Sequence, residues 1–531
     1  MRGALWAKIF LLTLTAAIVL PSMLPLAPQA ASAQAAELPP PYVLVLFDSM
    51  AAGTPWEGNV EAMLRVLASL GVRSKLQRAA VVREGELSDY DGVIVMSNRA
   101  GEEGRVPPNV ARELMGYQGL YLHTGYHMPE RFAQQLKLQT AMSGAEQARL
   151  TIGPLKEAPL TDSAEPIPYI GAAEGEAIGE LEWRGSGVSA PFAVLDSRSG
   201  VAYTPSFFEG AAAELAMAYT LQSWLGISEG AGQGKLYLLF HDIYPFSEQA
   251  LLLAGADGLY EAGIPFIFSV RPVFANTEYP AMRRYLETLK YVQARNGTIF
   301  TEAPVVSEAA GMETSPLQTR MEGFIDLLAE SRIVPLGIGV DAGRYLRNED
   351  ELADGMFFFE SAALYRGDHD AYALEHPGSN EAFPGSVLCV EWSELAPYWD
   401  DAGFRRLPVN VAIVQGIWQN ERELKASLDQ WKRSWLLFDD FKNGSHWTRT
   451  ERHAMHSLNG VLAINGQPIG LNDTIKPVSE NYAYKETERK SLQRWFSAQN
   501  TIYLAIIGFS LILFGVFLTL GIQLYRRKFM K

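Results

Sequence analysis

The sequence predicts an α/β protein in two units, followed by one membrane-spanning helix. Three observations carry that prediction. Short apolar runs alternate with helical stretches from residue 42 to about residue 414, the order expected of βαβ units on a mostly parallel sheet. The small, polar stretch GISEGAGQG at 226–234 divides the alternation in two, as an interdomain linker does. Residues 502–524 carry no charged side chain, and at 1.5 Å rise per residue they reach about 34 Å, more than a hydrocarbon core of about 30 Å.

The elements follow in order. Residues 1–33 have the layout of a secretory signal peptide: Arg2 and Lys8 make a basic start, 9–20 are apolar, and Ala31-Ser32-Ala33 supplies a small-residue cleavage site. The linker 34–41 ends in a stiff LPPP stretch. In the first unit, 42–226, the runs 42–47, 91–97 and 119–123 read as apolar strands. Residues 57–70, 108–115 and 210–225 read as helices, and 140–201 as a mixed region with short strands such as 192–195. In the second unit, 235–472, the strand candidates are 236–240, 266–270, 298–301, 334–340, 387–390 and 409–414. Helices at 248–262 and 281–294 fit between the early ones, a β-then-α repeat suited to an incomplete or distorted (β/α) barrel. A polar stalk, 473–500, leads into the membrane helix, and the tail 525–531 carries Arg526, Arg527, Lys528 and Lys531. Basic residues also flank the other side (Lys485, Arg489, Lys490, Arg494). The signal peptide therefore decides the orientation: a single-pass protein with a large extracytoplasmic part and a cytoplasmic tail.

Composition narrows the class. The 531 residues are 48% hydrophobic and 20% charged, with a formal net charge of −15, ordinary globular material for two or three domains. No basic patch occurs outside the membrane flank, which argues against nucleic acid as a partner. Cys389 is the single cysteine, so an intramolecular disulfide and a cysteine zinc cluster are excluded. Its apolar run, 387–390, reads as a home for a buried, inert thiol. A secreted chain without disulfides fits a bacterial cell surface.

The chemistry concentrates at LYLLFHDIYPF, residues 236–246. An apolar strand, too short and aromatic for a helix and stopped by Pro245, ends in His241-Asp242. C-terminal strand ends are where α/β barrels and open sheets hold ligands and metals. From this strand through the next helix to GIPFIFSVRPVF, the chain resembles the opening β-α-β of the polysaccharide-deacetylase superfamily, closest to an uncharacterised, often membrane-attached bacterial branch. DFKNGSH at 440–446 resembles a late motif of that branch. In the superfamily, the first strand ends in an Asp-Asp pair, a base and then a metal ligand, and two histidines after the third strand complete the site. The resemblance implies that Asp242 holds a divalent, zinc-like metal and that His241 stands in the place of the base. It also implies a substrate among cell-surface polysaccharides or peptidoglycan, whose N-acetyl carbonyl a metal-activated water would attack.

The chain departs from that pattern after its third strand. There it reads GTIFTEAPVV, and no histidine occurs between His241 and His369. Glu302, at the end of that strand, is the candidate third ligand beside His241 and Asp242, since catalytic zinc typically takes three protein donors. Adjacent residues on a regular strand point to opposite faces, so His241 and Asp242 can converge only past its end. The alternative is a non-catalytic module that binds a glycan or scaffolds an envelope assembly, with Asp242 bonding the following turn and His241 its neutral partner.

Other constellations bear on the same question. Asp341 and Glu391 follow strands, and two carboxylates facing each other across a barrel mouth are what glycoside hydrolysis requires. Trp392, Trp399, Trp418, Trp431, Trp435 and Trp447 crowd the last third, either as core or as an apolar floor for sugar rings. His446, His453 and His456 form a cluster, the last two one helical turn apart, as a metal pair or a solvated helix face. In the first unit, His123, His127 and Asp48-Ser49 sit at strand ends. By fold-level analogy that unit resembles a flavodoxin-like or glutamine-amidotransferase-like sheet. It lacks a nucleophilic cysteine and a Gly-rich phosphate loop after Phe47, which leaves binding or scaffolding as its role.

Overall fold

The computed structural model describes residues 40–227, 234–304, 317–341, 357–367, 379–380, 385–399, 407–471, 474–478 and 490–529. The signal peptide, most of the linker, His369 and part of the stalk lie outside the described residues. Contacts divide the chain into two units, Met1–Pro477 and Val478–Lys531.

In the first unit, the apolar runs become strands buried on both faces, as a covered parallel sheet requires. The strands β1 (Tyr42–Phe47), β2 (Arg73–Arg78), β3 (Gly92–Ser97) and β4 (Leu120–Gly125) run parallel in the order β2-β1-β3-β4. The mixed region supplies a small pair, β5 (Gln139–Met142) with β8 (Pro168–Ala172), and the strands β6 (Arg149–Ile152), β7 (Leu155–Pro159), β9 (Glu176–Trp183), β10 (Val188–Asp196) and β11 (Val201–Thr204). Parallel β11 joins β4, and β10, β9, β6 and β7 continue the sheet antiparallel. The mostly parallel sheet read from the sequence is thus half antiparallel. Strand β2, RSKLQR, has no apolar run to reveal it.

The second array is a closed barrel of parallel strands: β12 (Leu236–Ile243), β13 (Phe266–Val270), β14 (Gly297–Glu302), β15 (Pro335–Asp341), β16 (Ala362–Tyr365), β18 (Val387–Glu391) and β19 (Val411–Gly416). Between β16 and β18, the two-residue β17 (Ser379–Asn380) pairs with β2 of the sheet. Helices Gln249–Glu261, Pro280–Ala294 and Leu317–Glu330 connect the first four barrel strands, and Pro280 opens its helix where a missing N–H costs nothing. Seven strands close the ring where eight are usual.

A small sheet and the turn before it pack against the end of the barrel where strands begin. The strands β20 (His446–Arg449), β21 (Ala454–Leu458), β22 (Val461–Ile464) and β23 (Gln467–Pro468) form a small antiparallel sheet. The Thr448 hydroxyl donates to the Pro335 carbonyl at 2.7 Å, and Lys442 Nζ to Asn296 O at 2.9 Å. Both acceptors stand at strand starts, and a cavity lies at the opposite, C-terminal end.

Two ion clusters join sheet and barrel. Arg65, on helix Asn59–Ser69, lies 3.1 Å from Glu214 and donates to Cys389 O of β18 at 2.5 Å. Arg366 pairs with barrel Glu394 at 2.5 Å and with the sheet domain's Glu209 and Glu214 at 3.5 and 3.6 Å.

The second unit contains helix Lys490–Phe529, which starts inside the segment read as stalk because its basic flank continues the helix. Its Ala505–Arg527 stretch is, among the described residues, the one helix long and apolar enough to cross a membrane.

Candidate functional site

The site begins with a break in strand regularity. Phe240 pairs with Phe268, but the next pairing, Ile243 with Val270, leaves His241 and Asp242 opposite Ser269 alone. The extra residue is a β-bulge, and Asp242 takes the left-handed conformation at φ 62°, which Asp tolerates better than most residues. The bulge removes the alternation that would send the two side chains to opposite faces. Both line one cavity of about 450 Å³ at the C-terminal mouth, with Arg271, Glu302, Asp341, Tyr365, Arg366 and Glu391. Gly339 belongs to the same wall: a Cβ there would sit 2.3 Å from the Tyr365 hydroxyl.

The polar groups form one connected network. Asp242 Oδ2 is 2.9 Å from His241 Nδ1, and Asp242 Oδ1 accepts from Arg271 Nη2 at 2.7 Å. Arg271 Nε lies 2.5 Å from Glu302 Oε2, while Glu302 Oε1 accepts the Asp242 backbone N–H at 2.8 Å. Ligand atoms of His241, Asp242 and Glu302 all fall within 4.8 Å of one another. The three residues nominated from the sequence therefore converge.

Electrostatics separate the two carboxylates. Burial drives the Glu302 carboxyl up to about 7 against the opposing pull of Arg271 and the Asp242 N–H. For Asp242, burial raises the value, but Arg271 and His241 outweigh it and hold the carboxyl below its ordinary range. Glu391, at the rim, is raised by partial burial, with His241 pulling the other way.

A divalent metal needs carboxylate oxygens with a lone pair to give and no competing cation between them. All four oxygens of Asp242 and Glu302 are committed, two of them to the same guanidinium. As arranged, the set fits an arginine better than an added divalent ion, which the guanidinium charge between the two carboxylates would repel.

Arg271 was not singled out in the sequence, although its signal was the same as that of His241: a charged residue directly after the apolar strand FIFSV. Arg366, after ALY, was missed likewise. Asp341 and Glu391 do line the mouth. None of the six tryptophans does; Trp399, Trp418 and Trp431 are core. The aromatic surface beside the site is instead Tyr244 and Phe246, stacked with ring centroids 4.9 Å apart, with the Arg271 guanidinium 5.9 Å from the Tyr244 ring. Phe246 is 82% exposed.

The remaining candidates serve structure. His453 and His456 do not share a helix: His456 is on β21 and stacks on Trp447, while His453 pairs with Asp326 at 2.7 Å. Their spacing of three coincides with a turn entering a strand. His446 stacks on Phe441 and bonds Ser361, and burial lowers its pKa to about 4. His123, wholly buried and lowered to about 4 by burial, donates from Nε2 to Tyr126 O and accepts from the Tyr121 hydroxyl. His127 bonds Ala100 O, and Asp48 accepts the N–H groups of Asn98 and Arg99. Burial pushes the Cys389 thiol up to about 12, leaving it unreactive.

No family model matches the chain. One curated relative, the uncharacterized protein YdaL of Bacillus subtilis (strain 168), is 36% identical over 77 residues, which is 13% of this chain and 14% of that protein. The chain thus spans about a seventh of the length of the curated relative it matches.

Proposed function

We propose that this is a membrane-anchored extracytoplasmic protein whose barrel mouth acts on or binds a cell-surface glycan, polysaccharide or peptidoglycan. The observation that carries this reading is the convergence of His241, Asp242 and Glu302 from two strand ends on one open cavity. Its volume of about 450 Å³ falls within the range of about 300–1,000 Å³ typical of small-ligand sites. The resemblance of residues 236–275 to polysaccharide deacetylases supplies the glycan, and the exposed Tyr244–Phe246 stack suits an adjoining sugar face. The strand order of the first domain agrees with a doubly wound, flavodoxin-like half-sheet that acts as scaffold.

The chemistry follows from the dyad. With its carboxylate accepting Nδ1–H, Asp242 fixes the tautomer that leaves the lone pair of His241 on Nε2. Nε2 takes a proton from a water that adds to an N-acetyl carbonyl. The C–N bond then breaks, the proton passes to the leaving nitrogen, and acetate and a free amino sugar result. The second reading, a glycan-holding or scaffolding module without turnover, is favoured by the tie that Arg271 makes between Asp242 and Glu302.

Acetate release from N-acetylated amino-sugar oligomers by the full chain tests the first reading, and it should vanish in Asp242→Asn. Binding of the same oligomers without acetate release selects the second. Neither binding nor release, from these oligomers or from peptidoglycan, would overturn both.

A further inference from the structure

We propose that the Arg271 guanidinium is the resident cation of this site: it occupies the place between Asp242 and Glu302 that a divalent metal would take, and it offers its remaining N–H donors to a ligand oxygen. The inference deepens the proposed function and rests on it for the identity of the ligand, but its test uses no glycan.

Three observations carry it. The guanidinium spans both carboxylates, at 2.7 Å from Asp242 Oδ1 and 2.5 Å from Glu302 Oε2. The other two carboxylate oxygens are held by His241 Nδ1 and by the Asp242 backbone N–H. An incoming ion would therefore compete with an ion pair at each acidic ligand and meet a fixed positive charge. Arg271 is also anchored for the role. It follows β13 directly, its backbone N–H donates to Ile243 O at 2.9 Å just past the bulge, and its guanidinium lies near the Tyr244 ring. A guanidinium carries five N–H donors, so donors remain for a carbonyl or carboxylate oxygen in the cavity. That is the polarising role a metal performs, delivered by a group that cannot lose its charge at physiological pH.

The prediction is a gain of metal binding on losing the arginine. Zinc and cobalt binding to the full chain in detergent, after removal of loosely held metal, should be absent in the natural sequence and in Arg271→Lys, which keeps a cation. Arg271→Gln and Arg271→Ala should each bind one equivalent about tenfold more tightly or better, with cobalt absorption bands typical of nitrogen and oxygen ligands. Adding Asp242→Asn should abolish the gain. Stoichiometric zinc on the natural sequence, as tight as on Arg271→Gln, would overturn the proposal, as would a folded Arg271→Gln that binds no better. Should both substitutions prevent folding, the natural sequence decides alone: one zinc retained refutes the assignment and none supports it. Because no glycan enters, failure here leaves glycan recognition standing, and failure of glycan recognition leaves this result readable.

Discussion

Arg65 and Arg271 each sit against acidic side chains, in settings that differ in one respect. Arg65 and Glu214 are sealed, with 1% and 0% of their side chains exposed. Arg271 keeps 25% of its side chain exposed and Asp242 keeps 42%, while Glu302 beneath them keeps 2%. The sealed pair ties a helix of the sheet domain to barrel strand β18 and is closed to a ligand. The open cluster has the same chemistry with one side turned to a cavity, so its charges can be shared with a ligand. Arg366 connects the two regions: it lines the cavity while Glu209 and Glu214 of the sheet domain hold it from behind. The sheet domain therefore reaches the wall of the barrel's site without presenting a site of its own at Asp48 or His123.

The sharpest way to break this comparison is to cut both clusters. Arg65→Ala leaves Glu214 fully buried, with Arg366 at 3.6 Å as its remaining cation, and should cost about 3 kcal/mol of stability, read as a shift in the denaturant midpoint. Arg271→Ala should cost clearly less, because Asp242 reaches water and Glu302 can take up a proton. Equal losses would mean that the mouth is as structural as the interface.

The next effect is a pH dependence. Glu302 faces Arg271, Asp242, Tyr285 and Tyr365, and burial raises its carboxyl to about 7 from 4.5 in the unfolded chain. The folded state thus keeps the proton to higher pH than the unfolded state does. The contribution of Glu302 is fully present below pH 4.5 and is lost as pH rises through 7, a change on the order of 3 kcal/mol. Glu302→Gln should flatten that part of the stability curve between those two pH values. Parallel curves for the two proteins would show that the charge of Glu302 is already compensated in the fold.

Much of the barrel was legible because strands buried on both faces are written as unbroken apolar runs, as in LYLLF and FIFSV. Strands without such a run stayed hidden: the polar β2, and β16, only four residues long. At the site, polar residues following apolar runs pointed to His241, Asp242 and Glu302, which share the barrel mouth. Their convergence was not legible, since strict alternation predicts divergence and only the bulge at Asp242 overrides it. Arg271 carried the same signal. It was passed over because an arginine reads as a solvated strand end until its partners, far apart in sequence, are seen. The tryptophans misled for the opposite reason: their number suggested a sugar platform, while their large apolar area had drawn three of them into the core.

The smallest expected effect tests where a glycan would lie. Phe246, at 82% exposure, makes few contacts that folding depends on, so Phe246→Ala should change stability by no more than about 0.5 kcal/mol. If a sugar next to the one in the cavity rests on the Tyr244–Phe246 stack, the same substitution should weaken oligosaccharide binding by about 0.5–1.5 kcal/mol, roughly twofold to tenfold. A monosaccharide that fits inside the cavity should not feel the change. Titration of both ligands against both proteins separates the cases. A loss confined to the longer ligand assigns the ring to a neighbouring subsite, and an equal loss for both would mean that Phe246 acts through Tyr244 and Arg271 on the cavity itself. No loss for either would make the stack an ordinary exposed aromatic pair and move the polymer path to another edge of the mouth.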